Sequence, residues 1–366
     1  MTWRYINVSF IIVTGLFISP AVQARTTYQL HHFFNSWEPT LVAARDNNCS
    51  QEWNAYTDPN NEDRMAAYSL VSCILRNMTE FSKVEMAVVS VVLGLLPSIL
   101  MLIGPTTAEI SLLATRRPLL SLLLAVPMPS VRTAGESPYQ NPATILRQPV
   151  DIIARPGILA KARIAAKTVI SGCEYLLAGL AVANMGYQAY QLAYWAITIS
   201  TIAVDSGPIP ETYAPFLWIL LIIAVHLLNF VAMKLRYRKD PERERPKSKS
   251  HFQWLEDELT PCAFGNPLWL VQMDNTYLHL LASYLANTGV AVLFIYATII
   301  LSSQIFISLG DAIPLVARWI LGATVCRAIL TYELHGLREV TSQAMNNVTG
   351  RSTGLSKPSK EPDGSA

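Results

Sequence analysis

The sequence predicts an all-α fold: a polytopic transmembrane helical bundle of about five spans, with a small disulfide-closed N-terminal domain on the extracellular or lumenal side. Three observations predict it. Only 15% of the 366 residues are Asp, Glu, Lys or Arg, where a soluble protein carries about 25%. Several stretches approach the roughly 20 apolar residues that a helix needs to cross a bilayer, in a chain that is 51% hydrophobic with a mean hydropathy of +0.30. Two cysteines, Cys49 and Cys73, stand in a polar segment ahead of the first such stretch. A net charge of +2 excludes a strongly basic nucleic-acid binder, and no nucleic-acid partner is expected.

Residues 1–24 read as a signal peptide: Arg4 supplies the charge, Val8 to Ile18 the apolar core, Pro20 the helix end, and Val22 and Ala24 the small-residue cleavage pattern. An uncleaved anchor would leave the next segment on the same side. That segment, residues 25–83, holds 5 Lys or Arg and 7 Asp or Glu. A domain this small seldom buries enough apolar surface to fold alone, and an oxidising compartment allows a Cys49–Cys73 disulfide to compensate. Closing that loop contributes about 3 kcal/mol through the entropy of the unfolded chain. Two free thiols in a loose loop are the alternative. The sequons Asn48-Cys49-Ser50 and Asn77-Met78-Thr79 predict glycosylation at Asn48 and Asn77.

Residues 84–331 form the membrane domain, with spans expected at about residues 86–108, 175–204, 213–233, 286–309 and 313–330. The second is charge-free for longer than one crossing needs, so it must tilt or project. The fifth carries Arg318 and Arg327 on opposite faces, and at least one must face protein. Residues 118–131 are apolar but too short to cross as a helix, and Pro127 and Pro129 break their end; they read as interfacial or re-entrant. Charge sidedness orients the chain. The stretches 105–168, 234–285 and 332–366 hold 8, 8 and 4 Lys or Arg, whereas 205–212 and 310–312 hold none. The positive-inside rule then places the N-terminus outside and the 332–366 tail in the cytoplasm, in a membrane of the secretory pathway, the plasma membrane foremost.

The segment Gly104-Pro105-Thr106-Thr107-Ala108-Glu109, continuing through Thr115-Arg116-Arg117-Pro118-Leu119-Leu120 to Pro127, resembles a stretch shared by a broad group of fungal multi-pass membrane proteins. The resemblance covers the first span, this loop and the layout of later spans. It implies an architecture and a fungal source, and no reaction. Physically, Glu109 favours the positive end of an apolar helix, and the Arg116-Arg117 pair is expected to face anionic lipid headgroups.

Catalytic signatures for nucleophile elbows, phosphate loops, zinc helices and dinucleotide sites are missing, and no cofactor or metal is expected. His31-His32 has no further ligand at metal spacing. The most informative polar pattern is a possible intramembrane site. Asn184, Gln188 and Gln191 recur on one face of the second span, with Glu174 nearby; His226 and Asn229 share a face of the third. With Arg318 and Arg327 they are read either as interhelical glue, including a Glu174–Arg327 ion pair, or as a route for a proton, ion or polar solute. Lys234, Arg236, Arg238 and Lys239 open a basic run that attracts anionic lipid or serves only to hold the loop inside. After it, residues 251–285 are expected as short helices along the inner membrane surface. Partners are therefore membrane lipids, with anionic headgroups or a cytosolic protein as candidates. The leading function is a structural or receptor-like membrane component; a transporter or channel comes second, and a membrane-embedded enzyme on an apolar substrate, in a biosynthetic pathway, third.

Overall fold

The computed structural model describes residues 29–58, 61, 65–129, 145–146, 164–199, 213–240, 251–274 and 276–353. The signal peptide, residues 200–212 and the end of the tail lie outside them. The described chain is all-α apart from two short strand pairs. Among these residues five helices are long and apolar enough to cross a membrane: Glu80–Ile103, Lys167–Tyr194, Ala214–Arg236, Tyr277–Ser302 and Leu309–Asn346. They fit an integral membrane protein.

In chain order the elements are α1 (Glu38–Ala43), a π-helical turn (Ala44–Asn48), α2 (Ser50–Thr57), α3 (Ala66–Asn77), α4 (Glu80–Ile103), α5 (Thr107–Ala114), α6 (Pro118–Ala125) and α7 (Ile164–Tyr194). They continue with β1 (Ile197–Thr198), α8 (Ala214–Arg236), β2 (Tyr237–Lys239), α9 (His251–Leu259), a 3-10 turn (Cys262–Phe264), β3 (Leu270–Gln272), α10 (Tyr277–Ser302), β4 (Gln304–Ile305) and α11 (Leu309–Thr353). Two compact bodies result. One contains the described residues up to Leu102 with Ala183–Ile222 and Ala291–Gly322; the other contains those of Ile103–Val182, Ile223–Val290 and Ala323 onward.

The first body carries the Cys49–Cys73 disulfide, with Cα atoms 5.9 Å apart. Leu30, Phe33, Leu41, Tyr56, Leu70 and Ile74 pack around it. Their core runs on without a break into Met86 of α4, Ile197 of β1, Ile305 of β4 and Phe306 just after it. β1 pairs antiparallel with β4, Ile197 opposite Ile305. Phe306 holds a left-handed φ of 62°, a conformation that costs a non-glycine residue about 1 kcal/mol or more. Burial, an edge-on contact with Phe33 and a backbone hydrogen bond to Met86 Sδ hold it there.

The helix ends differ from the expected span limits for physical reasons. α7 stops at Tyr194, well before residue 204, because the β-branched Ile197 and Thr198 enter a strand. α10 begins at Tyr277 instead of residue 286. α11 continues past residue 330 to Thr353, so residues 332–353 are helix where a tail was expected. Leu330, Glu333, Leu334, Leu337 and Thr341 recur at helical spacing and are all buried, which is why the helix persists. α5 and α6, of eight residues each, are too short to span and are largely buried in protein. Within the basic run, β2 pairs with β3, Arg238 opposite Val271, so part of the 251–285 stretch is a strand.

Candidate functional site

In the second body the chain builds a charge network around Arg117. Arg117 precedes α6, where Pro118 takes the first helical position. Its guanidinium is not at the surface, as expected from sequence, but fully buried. Nε donates to the Glu258 carbonyl at 2.8 Å, and Nη2 to Ser171 Oγ at 2.7 Å. Nη1 meets two carboxylates, Glu174 Oε2 at 2.5 Å and Glu333 Oε1 at 3.0 Å. Burial works against the charge of Arg117, but Glu333 and Glu174 outweigh it and hold its pKa above the ordinary value.

The surrounding elements are tied in through the same carboxylates. Glu258 Oε1 accepts from the Leu120 backbone N–H near the start of α6 and from the Tyr175 hydroxyl. Glu333 Oε2 accepts from the Cys262 backbone N–H at 3.1 Å, and Thr341 Oγ1 from the Leu268 N–H. Gly336 makes that docking possible: a Cβ there would lie 2.6 Å from the Ala263 nitrogen. Burial, reinforced by Glu333, pushes the Cys262 thiol well up, so it stays neutral.

A second, less buried pair sits at α5. Thr106 and Glu109 form a capping box: Thr106 Oγ1 accepts the Glu109 N–H, and Glu109 Oε2 accepts the Thr106 N–H. The carboxylate also takes Arg327 Nη1 at 2.8 Å. Burial opposes ionisation of Glu109, but the bonds from Arg327 and Thr106 outweigh it and hold its pKa below the ordinary carboxylate value.

The pairing therefore differs from the expected one. Glu174 does not take Arg327; it takes Arg117, and Arg327 takes Glu109. The predicted intramembrane residues are divided between the two bodies. Glu174, His226, Asn229 and Arg327 belong to the second body; Asn184, Gln188, Gln191 and Arg318 belong to the first. Asn184 donates to the Arg318 carbonyl at 3.1 Å, and Gln191 to the Tyr187 hydroxyl. Gln188 is fully buried, and its amide has no hydrogen-bond partner among the described residues. The Arg318 side chain is exposed, while His226 and Asn229 are buried.

Sequence reasoning missed Glu333, Glu258, Ser171 and Tyr175. A signal existed for Glu333, an acid on the apolar face of the Leu330–Leu337 pattern. Of the basic residues, Arg116 packs its guanidinium against Gly265, Lys234, Arg238 and Lys239 are exposed, and Arg236 donates to the Met273 carbonyl.

In the first body, Asn48 Nδ2 donates to Asn77 Oδ1 at 2.7 Å, and Asn77 Nδ2 to the Cys73 carbonyl, so both exposed sequon asparagines flank the disulfide. His31 packs edge-on against Trp53, and His32 stacks on Tyr194. A shallow cleft, half open to solvent, is lined by Leu30, Tyr56, Ala67, Tyr68 and Val71 and by Ile197, Thr198 and Ile199. Among the described residues no group of three or more His, Cys, Asp or Glu is placed to hold a metal ion. No protein-family profile, curated protein or solved structure matches the chain.

Proposed function

We propose that the protein is a non-enzymatic, receptor-like component of a secretory-pathway membrane, the plasma membrane foremost, with the disulfide-closed domain outside and the α11 end inside. One observation carries the reading: the cleft is walled jointly by α2 and α3 of the N-terminal domain and by the strand that ends the second span. A ligand there touches the domain and the strand that follows the second span at once, a route by which binding outside can reach a membrane helix. The wall is mainly apolar with two tyrosines, so the favoured ligand lays an apolar ring against the open side of the cleft. Excess Lys and Arg in the loops assigned to the cytoplasm supports the orientation and a contact with anionic lipid through Lys234, Arg238 and Lys239.

Transport through the polar face of the second span has less support, because Asn184 and Gln191 are both engaged in hydrogen bonds. Only Gln188 speaks for such a path. The test of the receptor reading is thermal unfolding of the full chain in lipid nanodiscs with a panel of small aromatic hydrocarbons and ring alcohols. A ligand that fits the cleft raises the midpoint, and Ala67→Trp, which fills the cleft, abolishes the rise. A rise that survives Ala67→Trp, or none with any compound, overturns the reading.

A further inference from the structure

We propose that Asn48 is the N-glycosylation site of the disulfide-closed domain, and that Asn77 of the folded chain stays unmodified. The inference rests on the outside placement of that domain in the receptor-like reading, and it narrows two sequons to one. Both asparagines are exposed, Asn48 at the end of the π-helical turn and Asn77 at the end of α3. Exposure therefore does not choose between them, but their side-chain amides do. A sugar takes the place of one of the two hydrogens on Nδ2. On Asn77 that nitrogen is turned inward: it donates to the Cys73 carbonyl at 2.9 Å and lies 3.5 Å from the Cys49 sulfur and 3.8 Å from the Cys73 sulfur. A sugar carbon on it would have to fit between the carbonyl and the disulfide. A glycan there must expel the amide, which also removes the acceptor of Asn48, since Asn77 Oδ1 takes Asn48 Nδ2 at 2.7 Å. Asn48 Nδ2 has that one acceptor among the described residues, which leaves its second hydrogen for a sugar.

Position along the chain points the same way. The sugar has to reach an extended sequon, clear of the bilayer, before the domain closes. Asn77 stands directly ahead of α4, the first span, whereas α2 and α3 separate Asn48 from it. Cys49 lies inside the Asn48 sequon, and its partner Cys73 is synthesised later, so the Asn48 sequon is open while Cys49 has nothing to pair with. The step is a group transfer. Asn48 Nδ2 attacks the anomeric carbon of an oligosaccharide carried on a lipid diphosphate. A C–N bond forms, the C–O bond to the diphosphate breaks, the lipid diphosphate leaves, and the amide proton passes to a base of the transferring enzyme.

The test uses the full chain expressed in a eukaryotic secretory host and purified without reductant. Treatment with peptide N-glycosidase in heavy-oxygen water, against an untreated control, marks by mass each asparagine that carried a sugar. The expected result is a mark on Asn48 of the disulfide-linked chain and none on Asn77. The mobility shift on deglycosylation should be lost in Ser50→Ala and kept in Thr79→Ala, two variants that break a sequon without touching either amide. A mark on Asn77 of the disulfide-linked chain overturns the inference and leaves the outside placement standing. A mark only on Asn347, in the sequon near the end of α11, overturns both. A chain without any mark overturns the inference as well. Should a variant fail to accumulate, the marks on the unaltered chain decide.

Discussion

The disulfide-closed domain and the Arg117 network face one problem and solve it in opposite ways. Each has to fix helices of 6 to 12 residues, too short to persist in isolation, and the Arg117 network does so against the long helices α7 and α11. The N-terminal domain fastens its helices with a covalent bond and an apolar core, in which each side chain contributes roughly in proportion to its buried area. The α5–α6 region and α9 instead dock through charges and hydrogen bonds converging on a guanidinium. The first arrangement degrades gradually when altered. The second is all-or-none, because removing one member strands another buried charge.

The largest effect is expected at Arg117. Arg117→Met leaves buried carboxylates without their cation and should cost about 3–5 kcal/mol, measured by denaturant unfolding in detergent. Replacing Glu174 and Glu333 by Met or Leu as well should recover most of that loss, since an apolar substitute for a whole buried ion pair is often neutral. A cost for the single variant below about 1 kcal/mol, the size typical of a water-exposed pair, would dissolve the contrast between the two regions.

Next comes the disulfide. Cys49→Ser with Cys73→Ser should lower stability by about 3 kcal/mol, and the loss should be confined to protection of amide hydrogens in α1 to α3. If exchange rises equally in α5, α6 and α9, the two regions do not unfold separately, and the comparison fails.

The smallest effect belongs to the capping box. Because the pKa of Glu109 is lowered in the folded chain, its contribution is fully present above the ordinary carboxylate value and is lost as pH falls through the folded value. Thermal midpoints of the unaltered chain should therefore drop in acid more steeply than those of Glu109→Gln, while near neutrality the variant is less stable by about 1 kcal/mol. Parallel pH curves for the two proteins would remove Glu109 from the account.

Much of the architecture was legible in the residues alone. The five helices follow from length and hydropathy, and the Cys49–Cys73 bridge from two cysteines in a short polar segment. Thr106 and Glu109 stand three apart, the spacing of a capping box, so the start of α5 is also legible in the residues. The span ends were less legible. The 30 charge-free residues after Glu174 satisfy any hydropathy window, and only the pairing of β1 with β4 ends the helix at Tyr194.

Which arginine meets which glutamate lay beyond the sequence. Arg117 and Glu174 are 57 residues apart, and Arg327 and Glu109 are 218 apart. Hydropathy, charge runs and helical period are properties of neighbouring residues, so they determine spans, caps and the composition of a small cross-linked domain. An ion pair depends on which groups the folded chain brings within about 4 Å of each other. By sequence Arg117 is one of a basic pair in a basic loop. Tertiary packing turned it inward, because Gly336 lets the Cys262–Phe264 turn approach α11 and two glutamates on separate helices compensate its charge.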